Sequence, residues 1–317
     1  MTRDEEFQEL RPLLFSIAYR ILGSVAEAED AVQETWLRYE ASPTVPASPK
    51  SYLSSAVTNI SINVLRSARV RREEYVGPWL PEPLLTDPYE DPQRSAELAD
   101  SVSMAALLLL ERLSPLERAV FVLREVFGFG FPEVAEAVER SEAACRQLAV
   151  RARRHMDEGR PRFEADRRER RELAERFLDA FRDGDVDALA GMLAADVQMV
   201  ADSGGKAPQW GRGIAGAAKV LRLLAAMSGA LAGVGVVVEP RVMNGQPGAI
   251  FRAGDGRILN TWTIDVLDGR VQAIRTVINP DKLDHLGPVA DAWAVNRAAI
   301  AHRHAGSADG TPPAPSM

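Results

Sequence analysis

Residues 114–156 read SPLERAVFVLREVFGFGFPEVAEAVERSEAACRQLAVRARRHM, and the punctuation of this stretch decides how the chain is organised. Ser114 is placed to N-cap a helix. Pro115 suits the first turn, where a missing N–H costs nothing, and Glu117 completes a capping box three residues on. Gly128 and Gly130 end that helix. Pro132 starts a second, running through Val138. After a brief turn Ser141 caps a third, and Glu142 in its first turn favours the helix dipole.

Two helices joined by a tight turn, the second carrying cations, form the helix-turn-helix pattern. The third helix sorts its residues by period. Cys145, Leu148, Ala149, Ala152 and Met156 recur at helical spacing and face a core. Arg146, Gln147, Arg151, Arg153 and Arg154 then point outward. Arginine pairs with guanine in the major groove, glutamine with adenine, and either binds phosphate. The bland alternative is a solvated basic face. Glu139 and Arg140 fill a turn where glycine is usual, and a non-glycine residue at positive φ there carries modest strain.

The 317 residues suffice for two or three domains. No apolar run reaches membrane-spanning length, and the acidic start MTRDEEFQEL is unlike a signal peptide. A single cysteine excludes an internal disulfide framework and suits a reducing cytoplasm. The net charge of −7 argues against indiscriminate coating of nucleic acid. Cations are concentrated locally. Residues 50–72 hold Lys50, Arg66, Arg69, Arg71 and Arg72 with no acid, and the third helix above is a second patch. Two cationic sites on an acidic body suggest DNA held at two places, with other faces for protein partners.

Upstream, residues 5–40 read as two helices. The stripe Phe7, Leu10, Leu14, Ile17, Ala18 and Ile21 is broken by Gly23, and Ser24 caps the next helix. That helix buries Ala28, Ala31, Val32, Thr35 and Trp36 and exposes Glu27, Asp30, Gln33, Glu34 and Arg38. Residues 50–72 form a further helix with Leu53, Ala56, Val57, Ile60, Val64 and Leu65 as its buried stripe. Asn59 and Asn63 share one of its faces. Short amides are poor helix formers, so their place beside cations suggests hydrogen bonding to an exposed base. A plain surface helix is the alternative.

Residues 76–95 are a proline-rich linker, in which Trp79 and Leu80 are too apolar for a free tether. A helix runs from 96 to 113. Beyond 157 comes an Arg-rich connector, then helices over 173–193 split by Gly184. A strand over 197–201, a helix over 214–227, and strands over 234–242, 249–252, 258–267 and 271–278 follow. Gly254-Asp255-Gly256 and Asp268-Gly269 supply hairpin turns. Helices followed by an antiparallel meander make an α+β domain. Residues 288–304 add a helix, and a disordered tail is expected from Gly306.

The first 157 residues resemble the extracytoplasmic-function group of bacterial sigma factors, of the sigma-70 superfamily. AEAEDAVQETWLR, residues 26–38, resembles the core-polymerase-binding helix, which implies that Asp30, Gln33, Glu34, Trp36 and Leu37 face polymerase. SYLSSAVTNISINVLRSARVRR resembles the helix that melts and reads the minus-ten element, with Asn59 and Asn63 on base-contacting positions. The helix-turn-helix resembles the minus-thirty-five reader. The C-terminal half is similar to SnoaL-like cone domains, and a sigma factor fused to one is a recognised subgroup. Its motifs appear as Trp79-Leu80-Pro81-Glu82-Pro83-Leu84, as Asp202-Ser203-Gly204-Gly205-Lys206, where Ser203 replaces a usual glycine, and as Asn279-Pro280-Asp281-Lys282-Leu283. The resemblance implies that these motifs are regulatory and that the fused domain tunes sigma activity in place of a separate anti-sigma protein.

The expected architecture is therefore two all-α domains, 1–75 and 99–158, a linker over 76–98, an α+β SnoaL-like domain over 159–287, and a terminal helix and tail over 288–317. The expected role is an alternative sigma factor in the cytoplasm. Its expected partners are core RNA polymerase, promoter DNA and, within the chain, the linker and sigma domains against the C-terminal domain. No cofactor, metal or membrane is expected. A second reading makes the C-terminal domain an enzyme, with Asp202, Asp265 or Glu239 as general base and Trp210 or Trp262 as a pocket wall. Against it, His285, His302 and His304 come later than the strands, and no metal-ligand spacing or nucleophile elbow appears. A third reading is a helix-turn-helix repressor with an effector domain. The linker motif 79–84 is expected to dock near 202–206 or 279–283.

Overall fold

The computed structural model describes residues 2–43, 45–89, 100–159, 167–208 and 213–308. The chain divides into two compact units, one of Met1–Tyr75, Leu80–Arg162 and Met243–Gly245, the other of Val76–Trp79, Phe163–Val242 and Gln246–Met317.

The first unit is helical. Helix α1 spans Arg3–Leu22, α2 Val25–Ala41 and α3 Pro49–Glu73. Gly23 closes α1 at φ +71°, a left-handed position that glycine fills without a Cβ clash, and Ser24 accepts the Glu27 N–H to open α2. After α4, Met104–Leu110, come α5, Pro115–Phe121, a π-helical turn, Val122–Val126, α6, Phe131–Ala137, and α7, Glu142–Gly159. One buried cluster runs through these helices, from Phe7 in α1 to Ala152 in α7. Within the helix expected over 96–113, residues 100–101 are helical, the chain turns at Val102, and Ser103 caps a new start at Met104 that ends at Leu110; residues 90–99 lie outside the described chain.

The second unit is α+β. Its helices are α8, Arg167–Asp183, α9, Val186–Met192, α10, Ala217–Ala232, and α11, Ala292–Ala308. Its strands are β1, Leu193–Asp202, β2, Ile214–Ala215, β3, Val237–Met243, β4, Gln246–Arg252, β5, Ile258–Leu267, and β6, Arg270–Val277. The sheet order is β2-β1-β6-β5-β4-β3. The last strands form the expected meander, but β1 lies parallel to β6, so the sheet as a whole is mixed. Leu173, Phe177, Leu178 and Phe181 of α8 are buried at helical spacing, and the Phe181 ring lies 4.8 Å from that of Trp262. Helix α11 continues to Ala308, past the point where a tail was expected.

Candidate nucleic-acid interface

The helix-turn-helix forms from the residues that signal it. Ser114 and Glu117 close the capping box of α5. The Ser141 hydroxyl accepts the Ala144 N–H at 3.2 Å and starts α7. Glu139, between α6 and α7, sits at φ +53°, the strained non-glycine position the turn requires. Cys145, Leu148, Ala149 and Ala152 are buried beneath α7. Burial also pushes the Cys145 thiol up, away from the reactive thiolate.

Arg146, Gln147, Arg151, Arg153 and Arg154 are all exposed. The four arginines are held differently. Arg146 pairs with Glu142 at 2.8 Å and Arg154 with Glu158 at 2.9 Å, both one turn apart on α7. Such surface pairs are worth about 0.3–0.5 kcal/mol and yield readily to a phosphate. Arg146 also lies 4.9 Å over the Phe131 ring of α6. Arg151 instead reaches Glu117 of α5 at 3.0 Å, and Arg153 reaches Glu125 of the π-helical turn at 2.8 Å. Those two acids are largely covered. Burial alone would raise the Glu117 carboxyl, but the Ser114 hydroxyl, Arg151 and the Ser114 N–H together hold it below the ordinary carboxylate range. The Glu125 hydrogen bond pushes the Arg153 guanidinium further up. One exposed residue escaped the sequence reading: Val150 is 63% exposed amid the cations.

On α3, Asn63 and Arg66 are exposed and Asn59 is half-buried. Leu53, Val57, Ile60 and Leu65 are buried behind them. Arg69, Arg71 and Arg72 continue the same helix, and their side chains lie outside the described residues. Ser54 and Thr58 are buried as well, with hydroxyl oxygens that find no partner among the described residues. On α2, Asp30, Gln33, Glu34 and Leu37 are exposed at spacings of three and four, a single face, with Leu37 at 51%. Trp36 is half-buried instead, its ring 4.9 Å from that of Phe7.

The linker motif has two attachments. Trp79 lies under the Lys282 ammonium, 4.3 Å from the ring centroid, within the α+β unit. Residues Leu80 to Leu84 belong to the helical unit and are buried there. The Glu82 carboxylate caps α2: it accepts the Ser24 hydroxyl at 2.8 Å and the N–H groups of Val25 and Ala26 at 2.7 and 3.3 Å. The Glu82 carbonyl accepts the Tyr19 hydroxyl at 2.6 Å. Burial pushes that phenol well above its ordinary value.

The other two motifs meet each other. Lys282 Nζ donates to the fully buried Asp202 at 2.7 Å, Lys206 pairs with Asp281, and the Asn279 N–H donates to the Asp202 carbonyl at 2.9 Å. Gly204 and Gly205 are left-handed, at φ +57° and +73°, whereas Ser203 is outside that region and tolerates its side chain. The carboxylates that a catalytic reading requires are engaged: Asp202 by Lys282, Asp265 by Arg275 and Gln246, and Glu239 by Arg241 and Arg252. Trp262 is locked in the aromatic core, and Trp210 lies outside the described residues. Among the described residues no His, Cys, Asp or Glu cluster is arranged to hold a metal, and no helix is long and apolar enough to cross a membrane.

Residues 7–71 match Sigma-70 region 2, and residues 103–156 match Sigma-70, region 4. Over 289 residues the chain is 39% identical to the ECF RNA polymerase sigma factor SigJ of Mycobacterium tuberculosis, spanning 87% of this chain and 92% of that protein. It is 29% identical over 279 residues to the probable ECF RNA polymerase sigma factor SigI of the same organism, spanning 87% and 93%. The crystal structure of the M. tuberculosis SigJ protein aligns with a TM-score of 0.69 and 35% identity, covering 91% of this chain and all of that one. The match therefore runs through the α+β unit as well as the helical one.

Proposed function

This chain belongs to the extracytoplasmic-function sigma factors, and on that premise we propose that three exposed helix faces divide the work of promoter recognition. The α2 face of Asp30, Gln33, Glu34 and Leu37, with Trp36 bracing it on Phe7, engages core polymerase. Asn59 and Asn63 of α3 capture unpaired minus-ten bases, while Arg66, Arg69, Arg71 and Arg72 hold the backbone. Helix α7 enters the major groove of the minus-thirty-five element. One observation supports this reading: Asp30, Gln33, Glu34 and Leu37 on α2, Asn63 and Arg66 on α3, and Arg146, Gln147 and Arg154 on α7 are all exposed, and a buried stripe lies behind each set.

The working division is 1–75 for polymerase and minus-ten contacts, 76–98 for the tether, 99–158 for the upstream element, 159–287 for a regulatory domain, and 288–317 for the closing helix and tail. The α+β domain is read as SnoaL-like and as a modulator of initiation, acting through Trp79–Leu84, Asp202–Lys206 and Asn279–Leu283. It is read as non-catalytic, in support of which its candidate bases are all in ion pairs or hydrogen bonds. The place of action is the cytoplasm, where core polymerase works.

Run-off transcription with purified core polymerase tests this. The full chain should direct promoter-specific initiation. Leu37→Asp should abolish polymerase association while leaving upstream duplex binding intact. Duplex binding by the unaltered chain without any polymerase association would favour a repressor instead.

A further inference from the structure

The sequence treats the cations of α7 as one DNA-facing set, but the structure separates them. Arg151 and Arg153 are turned to Glu117 and Glu125 on the scaffold in front of the helix. What remains directly opposite the buried side is the exposed stripe Ala143, Gln147, Val150 and Arg154, at spacings of four, three and four. Arg146 flanks it. The acids on this helix are Glu142 and Glu158, paired with Arg146 and Arg154, and the exposed Asp157 near its C-terminal end.

The centre of the stripe is chemically specific. Gln147 makes no side-chain hydrogen bond among the described residues, so its amide is available for the paired N6 and N7 edge of adenine. Val150 is a bare isopropyl group, 63% exposed. In a major groove an apolar group of that size has one distinctive base partner, the C5 methyl of thymine. Ala143 is small enough to let the helix approach closely. Three residues of helix advance about 4.5 Å, and base pairs are spaced about 3.4 Å apart along the duplex. The two side chains therefore address neighbouring base pairs.

We infer that the upstream element is selected through an adenine read by Gln147 and a thymine methyl packed on Val150, on neighbouring base pairs. Arg146 and Arg154 flank this A·T step. Arg151 and Arg153 are positioning residues that fix the helix without reading bases. This inference rests on the reading of α7 as the upstream-element reader.

The test starts by selecting duplexes from a library randomised in the upstream element, using full chain plus core polymerase. Single thymines in the selected site are then replaced by deoxyuracil. One replacement should weaken wild-type binding about fourfold, the worth of one buried methyl group. Val150→Ala, which removes both γ-methyls, should make thymine and deoxyuracil templates equivalent, whereas Val150→Thr, which keeps one γ-methyl, should still distinguish them. Gln147→Ala should lose about tenfold of its preference for adenine at the adjacent pair. Arg151→Ala and Arg153→Ala should select the same sequence as wild type. The inference is overturned if deoxyuracil is neutral at every position, or if Arg151→Ala changes the selected bases. If transcripts start but the motif ignores these variants, only this inference falls. If no duplex is selected at all, the role of α7 falls with it.

Discussion

Arg151 donates its Nε to Oε1 of Glu117 at 3.0 Å, tying the exposed helix α7 to the first turn of α5. The other oxygen of the same carboxylate accepts the Ser114 hydroxyl at 2.7 Å and the Ser114 N–H at 3.0 Å. One side chain thus closes a helix cap and sets the pose of the helix behind it. Arg151→Ala removes a half-exposed partner, and the expected cost is about 0.5–1 kcal/mol. The sole cysteine, Cys145, is buried under α7 and offers a local readout. Its labelling by a thiol reagent should speed up about two- to fivefold in the variant, and an unchanged rate would count against the tie.

Glu117 also makes a pH prediction. Its folded carboxyl titrates below the ordinary value of about 4.3. The folded state therefore binds the proton less readily than the unfolded state. The stabilisation is present in full above the unfolded value and is lost as pH falls through the folded one. Glu117→Gln should melt below wild type at pH 6, and the two melting curves should converge on acidification below about pH 4. A gap that stays constant through that range would remove Glu117 from the account.

Glu82 caps α2 from a segment far along the chain. Glu82→Ala strands the Val25 N–H and the Ser24 hydroxyl in a buried place and removes the acceptor of the part-buried Ala26 N–H. Stranded buried donors cost about 1–3 kcal/mol. Hydrogen exchange at the Val25 and Ala26 amides should accelerate accordingly. Glu82→Gln keeps an acceptor and should fall between the two.

How far these features could be read from sequence depends on the range of the interactions involved. Caps are local, so Ser24, Ser114, Ser141 and the breaks at Gly23 and Gly128 were legible. So was the buried side of α7, because four apolar residues repeat at one period. The parallel pairing of β1 with β6 was not, since strand order is set by contacts remote in sequence. Strand β1 was also read too short, because its register shifts between Leu193 and Gln198 and breaks the alternation. Asn244-Gly245 was a missed turn, although both residues have the positive φ that such a pair signals. The arginines of α7 look alike in a sequence, and only the placement of Glu117 and Glu125 separates those tied to the scaffold from those paired within α7.

The buried pair Asp202 and Lys282 joins two motifs of the α+β unit, and the ammonium also covers the Trp79 ring. Lys282→Met should take the lysine's charge away from a carboxylate that is fully shielded from water. Breaking such a pair from one side costs about 3–5 kcal/mol. Asp202→Asn combined with Lys282→Met should recover part of that loss, because the remaining groups are neutral. Urea unfolding followed by tryptophan fluorescence would give the cycle. Simple additivity of the two single losses would show that the groups do not act as a pair.

Asn63 and Arg66 stand three residues apart on α3, both exposed, and they should fail in different ways. An asparagine that hydrogen-bonds a captured base contributes sequence discrimination. An arginine on the backbone contributes affinity and salt dependence. The measurement is binding of the full chain, with core polymerase, to a single-stranded minus-ten oligonucleotide. Asn63→Ala should weaken the preferred sequence about two- to tenfold, the worth of one hydrogen bond, and leave a scrambled sequence nearly unaffected. Arg66→Ala should weaken both sequences alike and reduce the slope of log affinity against log salt by about 0.7, one phosphate's share for a single strand. If instead Asn63→Ala weakened both sequences equally with no change of salt slope, its amide would be serving the helix, and base capture would have to be sought elsewhere on α3.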